Sequence, residues 1–362
     1  MSDAGPPHAR HAPGQPRPAR VRLGRRTALA LLAATATRPA RFATAHADTP
    51  LAEAPTLLVA GPAGGRLDRW AIQLAAALTP VLPAGTRLRL TPVGGEDGVT
   101  AANQFTARVQ PDGNTLLLAP GDAAMAWLSG DPRARFDAAK WLGVIAGIAP
   151  AVVCARTTMA KGERIRVGMS GPVGPDLVAL LGLELAGLPV VPVFGGLNQD
   201  GAAQALASRA VDAVLLRGAG VAANLGPLAQ VGAAPLFTLG ATAGEGRDPL
   251  LPDLRNFTEF AAARGAAPPP GLLAAWRGVA AAAQTEYALV LPHLTPAALV
   301  ALWRQAGTQA AAAPELLDTA GRTHSLGVPA AHALAQALAP NVPAINDLRS
   351  WLATRLNWRP PV

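Results

Sequence analysis

Thr56-Leu57-Leu58-Val59-Ala60-Gly61-Pro62-Ala63-Gly64-Gly65, running into Leu67–Leu78, decides how the rest of the chain is read. A short apolar run that ends in glycines reads as a buried strand, and the amphipathic stretch behind it as a helix. The order returns as Leu88–Val93, then Gly94-Gly95-Glu96-Asp97-Gly98, then Val99–Val109. Each unit aims main-chain N–H groups and a helix N-terminus at one place, which favours an anion such as a carboxylate or phosphate. No catalytic set of side chains accompanies these turns. The chain reads as one that holds a small anionic molecule rather than transforming it.

Working outward, strands are expected at Leu57–Ala60, Leu88–Pro92, Thr115–Ala119, Leu142–Ile145, Ala151–Ala155, Arg166–Met169, Val190–Val193, Ala213–Leu216 and Pro235–Leu239. Helices are expected at Asp68–Leu78, Val99–Val109, Gly121–Leu128, Pro175–Ala186, Gln199–Arg209, Val221–Leu228, Pro296–Ala312 and Ala330–Leu338. Such alternation predicts an α/β fold with largely parallel sheets. Two lobes with two crossings fit the pattern: residues 48–151 and 272–362 form lobe I, and 152–271 form lobe II. The Pro268-Pro269-Pro270 run is read as a boundary that ends regular structure. Architectures of this kind bind ligand in the cleft between lobes and close by hinge motion.

The first 47 residues read as an export leader to be cleaved. Arg25-Arg26 precede an apolar stretch Thr27–Thr37, and Ala45-His46-Ala47 gives an A-x-A cleavage site. The paired arginines, with Arg38 and Arg41 beyond the apolar stretch, point to the twin-arginine route; an ordinary secretory signal is the alternative. The apolar stretch is too short to span a membrane. The mature protein is expected in the periplasm, free of a lipid anchor. The chain carries 31 basic and 23 acidic side chains. Eight arginines and only Asp3 belong to the leader, so the mature part is nearly balanced, with 23 basic and 22 acidic groups. The high overall positive charge is therefore no sign of nucleic-acid binding. Cys154 is the single cysteine, which excludes an internal disulfide, and its apolar run makes it a buried strand residue.

The chain resembles the extracytoplasmic solute receptors of tripartite tricarboxylate transporters, the Bug family. The likeness rests on Gly64-Gly65-Arg66-Leu67-Asp68, on Gly94–Gly98 and on Pro111-Asp112-Gly113-Asn114-Thr115-Leu116-Leu117. Further on it rests on Ser170-Gly171-Pro172-Val173-Gly174, Val211-Asp212, Arg247 to Asp253 with Glu259, and Thr295-Pro296, all in the family's order. The chain departs from the family at Ile72, where an arginine is usual, and at Val193-Phe194-Gly195-Gly196-Leu197, where a Val-Pro-Tyr-Lys-Gly turn is usual. The resemblance implies a two-lobed type II periplasmic binding-protein fold with the ligand cleft between lobes. It also implies a small carboxylate solute, and delivery to membrane permease subunits or a sensor ectodomain. The protein is expected to act as a monomer without cofactor or metal.

Candidate ligand-binding residues are Ala63, Gly64, Gly65 and Asp68 in the first turn, Gly95 and Gly98 in the second, and Ser170, Gly171, Gly174 and Phe194 on the other lobe. Backbone N–H groups at the glycines would hold the carboxylate. Asp68 either touches a ligand hydroxyl or amine, or complements the helix dipole and the turn amides. The Ser170 hydroxyl either donates to a second carboxylate or caps the turn. Arg69, Trp70, Asp176 and Asp212 are read as surface, core, helix-start and strand-start residues. Enzyme readings find little support. Gly168-Met169-Ser170-Gly171-Pro172 lacks the final glycine of a nucleophile elbow. His293, His324 and His332 lack metal spacing, and no phosphate-loop motif occurs.

Overall fold

The computed structural model describes residues 51–158, 162–195, 201–218, 220–241, 246–314, 316 and 324–359. The expected leader lies outside the described residues. A six-stranded sheet is built from β1 (Thr56–Ala60), β2 (Arg89–Val93), β3 (Thr115–Ala119), β4 (Leu142–Ile148), β10 (Thr285–Leu291) and β11 (His324–Leu326), in the order β11-β4-β10-β3-β1-β2. A five-stranded sheet is built from β5 (Ala151–Arg156), β6 (Ile165–Met169), β7 (Val190–Phe194), β8 (Ala213–Arg217) and β9 (Ala233–Thr238), in the order β7-β6-β8-β5-β9. All nine expected strands are present, within a few residues at their ends.

Both sheets are mixed, which corrects the expectation of largely parallel sheets. β1 lies parallel to β2 and β3, and β6 parallel to β7 and β8. β10 is antiparallel to β3 and β4, and β5 to β8 and β9. The antiparallel strands are those next to the crossings. Only Ala149-Pro150 separate β4 of the first sheet from β5 of the second, so the chain crosses between the sheets there without a helix.

Helix α1 (Arg66–Leu78), α2 (Val99–Arg108) and α3 (Gly121–Ser129) follow β1, β2 and β3 directly. On the second sheet α4 (Leu177–Leu185), α5 (Ala202–Ala207) and α6 (Val221–Gln230) follow β6, β7 and β8, and α7 (Phe257–Ala263) follows β9. Then come α8 (Pro270–Gln284), α9 (Ala297–Ala310), α10 (Val328–Leu338) and α11 (Val342–Leu356). The triple-proline run does not end regular structure. Pro270 is the first residue of α8, a position where proline's missing N–H has no helical partner to lose.

Helix α8 packs with residues of both sheets in one large hydrophobic cluster, and a second cluster gathers Val152, Cys154, Leu206, Leu216 and Val221 of the five-stranded sheet and its helices. Trp276 is 1% exposed, stacks at 3.8 Å on Phe257, and donates its indole N–H to the Val178 carbonyl of α4 at 3.0 Å. Its small residues admit close neighbours: a side chain on Gly121 of α3 would meet the Ala282 carbonyl, and one on Gly278 would meet the Ala337 carbonyl. Ala280–Ala283 are therefore buried without bulk. At the C-terminus, Trp351 and Arg355 of α11 both bond Glu184 of α4, at 3.1 and 3.0 Å. Arg355 also donates to the Val190 carbonyl at the start of β7.

Candidate functional site

The glycine turns sit at the C-terminal edges of parallel strands, the edge where open α/β sheets present helix N-termini and bind ligands. β1 and β3 end there at Ala60 and Ala119, and antiparallel β10 begins there. The second sheet ends there at Met169, Phe194 and Arg217.

The first turn is closed from within. The Gly64 N–H donates to Asp68 Oδ2 at 2.7 Å, and the Gly64 carbonyl accepts from Arg69 at 2.9 Å. The Gly65 N–H donates to the Pro62 carbonyl at 3.0 Å. Gly64 has φ +74°, a conformation that glycine enters without strain. Asp68 thus takes the second of its two expected roles, and Arg69 is a turn ligand rather than a free surface cation. Gly64 and Gly65 do not present free amides: Asp68, in the first helical turn, takes the Gly64 N–H, and the Pro62 carbonyl takes that of Gly65. The N–H groups of Ala63, Arg66 and Leu67 have no hydrogen-bond partner among the described residues.

The second turn is also largely spent. The Gly98 N–H donates to the Gly95 carbonyl at 3.1 Å, and Val99 N–H to Asp97 Oδ1 at 3.2 Å. Asp97 Oδ2 pairs with Arg133 at 2.9 Å. Gly98 has φ +74°, and a Cβ there would stand 2.5 Å from Pro120 Cδ and 3.3 Å from Ala60 Cβ. Gly98 therefore packs the second turn against the start of α3. The Gly95 N–H has no partner among the described residues.

On the second sheet the Ser170 hydroxyl donates to Asp176 Oδ2 at 2.6 Å, and the Ser170 N–H to the same oxygen at 2.9 Å. This is the turn-closing role, with Asp176 as the residue preceding α4. The N–H groups of Gly171, Val173 and Gly174 have no partner among the described residues, so this turn keeps the amides that the first two have spent. Phe194 is half exposed at the end of β7, one strand away, opposite Met169.

Four charged side chains that sequence reasoning missed meet at this edge. Arg66 opens α1 and donates to the Glu286 carboxylate at 2.6 Å and to the Glu286 carbonyl at 2.9 Å. Its other terminal nitrogen lies 4.0 Å from Asp122, in the first turn of α3. Arg217, the last residue of β8, lies 3.8 Å from the other oxygen of Asp122 and 3.4 Å from the Ala283 carbonyl. Arg66, Asp122 and Glu286 belong to the first sheet and its helices, Arg217 to the second. In the sequence Arg66 stands within the Gly64–Asp68 motif without a role of its own, Arg217 is a lone charge at the end of an apolar run, and Asp122 and Glu286 carry no motif. The cavity beside the first turn, lined by Ala60, Gly61, Pro62, Arg66, Leu67 and Glu96, encloses about 10 Å³, room for a water and no more.

Other singled-out residues serve the fold. Trp70 is buried against Tyr287 at 4.7 Å. Asp212 is buried and held by Arg156 at 3.2 Å and by Arg166 at 2.9 Å. Burial raises its pKa, but the Arg166 side chain and N–H together with Arg156 outweigh this and leave it lowered. Burial pushes the Cys154 thiol up to about 12. The Pro111–Thr115 segment lies at the opposite edge: Trp303 donates to the Gly113 carbonyl, and Asn114 accepts from the Ala52 N–H. Among the described residues, no cluster of His, Cys, Asp and Glu could hold a metal ion, and no helix is long and apolar enough to cross a membrane.

The mixed α/β fold with two sheets is the fold of a solved solute-binding protein. The chain superposes on a ligand-free TctC solute-binding protein from Polaromonas with a TM-score of 0.60 and 16% identity, over 84% of this chain and 98% of that one. MatC (Rpa3494) from Rhodopseudomonas palustris with bound malate gives 0.48 and 18%, over 83% and 98%. R. palustris Rpa4515 with adipate gives 0.48 and 17%, over 85% and 98%. No protein-family model and no curated protein matches the sequence.

Proposed function

We propose that the chain is a periplasmic receptor of the Bug type that binds a small carboxylate solute between its two sheets and hands it to a membrane permease or a sensor. Lobe I comprises residues 48–151 and 272–362, and lobe II residues 152–271. The observation that carries this reading is the meeting of Arg66 and Arg217, one from each sheet, over Asp122 at the strand ends. The free amides at Ala63, Gly171 and Gly174 supply further donors. Charge-assisted hydrogen bonds contribute roughly 1.5–3 kcal/mol each. Three or four of them, less the cost of association, support about −8 kcal/mol, in the micromolar range.

In this reading the two edges close over the guest on binding. The non-enzymatic reading is supported by Ser170. Its hydroxyl is bound to Asp176, which also takes the Ser170 N–H, and no hydrogen bond links it to a histidine among the described residues. Carboxylates in general are weak bases for a serine hydroxyl.

Thermal shift of the mature chain in low salt tests the reading, using mono-, di- and tricarboxylates, amino acids, and the matching amides. A carboxylate at a hundred times its Kd should raise Tm by about 5 °C while its amide does not. No response to any carboxylate refutes the proposal.

A further inference from the structure

The charges at the strand ends alternate in sign and cancel: Arg217, Asp122, Arg66, Glu286. The two ends of this series are unlike. Arg66 and Glu286 form a close pair at 2.6 Å, reinforced by the Glu286 carbonyl. The Asp122 carboxylate makes no hydrogen bond among the described residues, with its arginines at 3.8 and 4.0 Å. Among the described residues the Arg217 side chain makes a single long hydrogen bond at 3.4 Å, to the Ala283 carbonyl. Both side chains are partly exposed, at 28% and 31%. A carboxylate can accept several hydrogen bonds and a guanidinium offers five donors. Asp122 and Arg217 therefore face each other from different sheets with most of their hydrogen-bonding capacity open to solvent or a guest.

Resting on the reading above, we propose that the solute is zwitterionic. Its carboxylate engages Arg217 and its cationic nitrogen engages Asp122, so that the guest inserts between these two as the sheets part. A second carboxylate on the guest would meet Asp122 and Glu286, both already negative. An amino acid presents each site group with the opposite charge. Arg66, held by Glu286, is a positioning residue that fixes Glu286 and the N-terminus of α1.

Titration calorimetry of the mature chain with probes of one carbon number decides this: succinate, 4-aminobutyrate, 2-aminobutyrate and butyrate, then the six-carbon series. In at least one series an amino acid should bind tenfold or more tighter than both the dicarboxylate and the plain acid. Asp122→Asn, isosteric and checked for folding by circular dichroism, should bring that amino acid within about threefold of the plain acid. Arg217→Gln should weaken every carboxylate. If the dicarboxylates bind as tightly as the amino acids, or if the preference survives Asp122→Asn, the zwitterion proposal fails and the carboxylate receptor stands. If no carboxylate or amino acid of either series binds, both fall. The wild-type comparison decides the matter even if a variant does not fold.

Discussion

Replacing Gly98 by alanine perturbs the packing that sets Asp122 in place, and its cost follows from the geometry. At φ +74° an L-residue costs about 1–2 kcal/mol. The new Cβ would also stand 2.5 Å from Pro120 Cδ and 2.8 Å from Pro120 Cγ, with Ala60 Cβ at 3.3 Å. Neither neighbour can swing aside, since one is a proline ring and the other is buried in β1, so overpacking adds about 1–3 kcal/mol. Gly64→Ala isolates the first contribution: it has the same φ but nothing within 4 Å of its Cβ. The expected losses are about 2–5 kcal/mol for Gly98→Ala and about 1–2 kcal/mol for Gly64→Ala. Urea unfolding of the mature chain, followed by tryptophan fluorescence, measures both. Pro120 immediately precedes α3, so Gly98→Ala should also weaken solute binding through Asp122. Equal losses for the two variants, or a Gly98→Ala loss under 0.5 kcal/mol, would refute the reasoning.

Asp212→Asn should cost about 2–3 kcal/mol at neutral pH, the low side for a buried pair because Arg166 is 40% exposed. Because the folded-state pKa of Asp212 is lowered, its contribution is fully present above the unfolded value and lost as pH falls through the folded value. Acid unfolding below pH 3.8 should therefore be shallower in the Asn variant, as measured by circular dichroism. Cys154, with its thiol pushed up to about 12 and no exposed surface, should resist thiol reagents at pH 8 in the native protein and react once unfolded. Trp276→Phe removes the indole's hydrogen bond to the Val178 carbonyl and should cost about 0.5–1.5 kcal/mol in urea unfolding.

Much of the framework was legible because buried strands write themselves as short apolar runs between glycines and prolines. β10 was not, since Thr285-Glu286-Tyr287 follow α8 without a glycine or proline to mark the change. α8 itself was hidden by Ala280–Ala283, which carry no hydrophobic periodicity, and by prolines that start a helix as readily as they end one. The positions of the turns were legible, but the state of their amides was not. Whether Gly64 offers its N–H to a guest or to Asp68 depends on a side-chain rotamer four residues on. Arg217 and Glu286 escaped notice for a different reason: they lie far apart in sequence, and only the packing of the two sheets brings them toward Asp122 and Arg66.

Hydrogen exchange with the tightest-binding carboxylate or amino acid tests most directly where the guest sits. The account predicts slowed exchange in peptides covering Gly61–Asp68, Gly171–Gly174 and Arg217–Gly218. It predicts no change at the opposite edge, in the groove lined by Phe136, Trp141 and Pro292. Protection confined to that groove, with the strand-end turns unaffected, would contradict it.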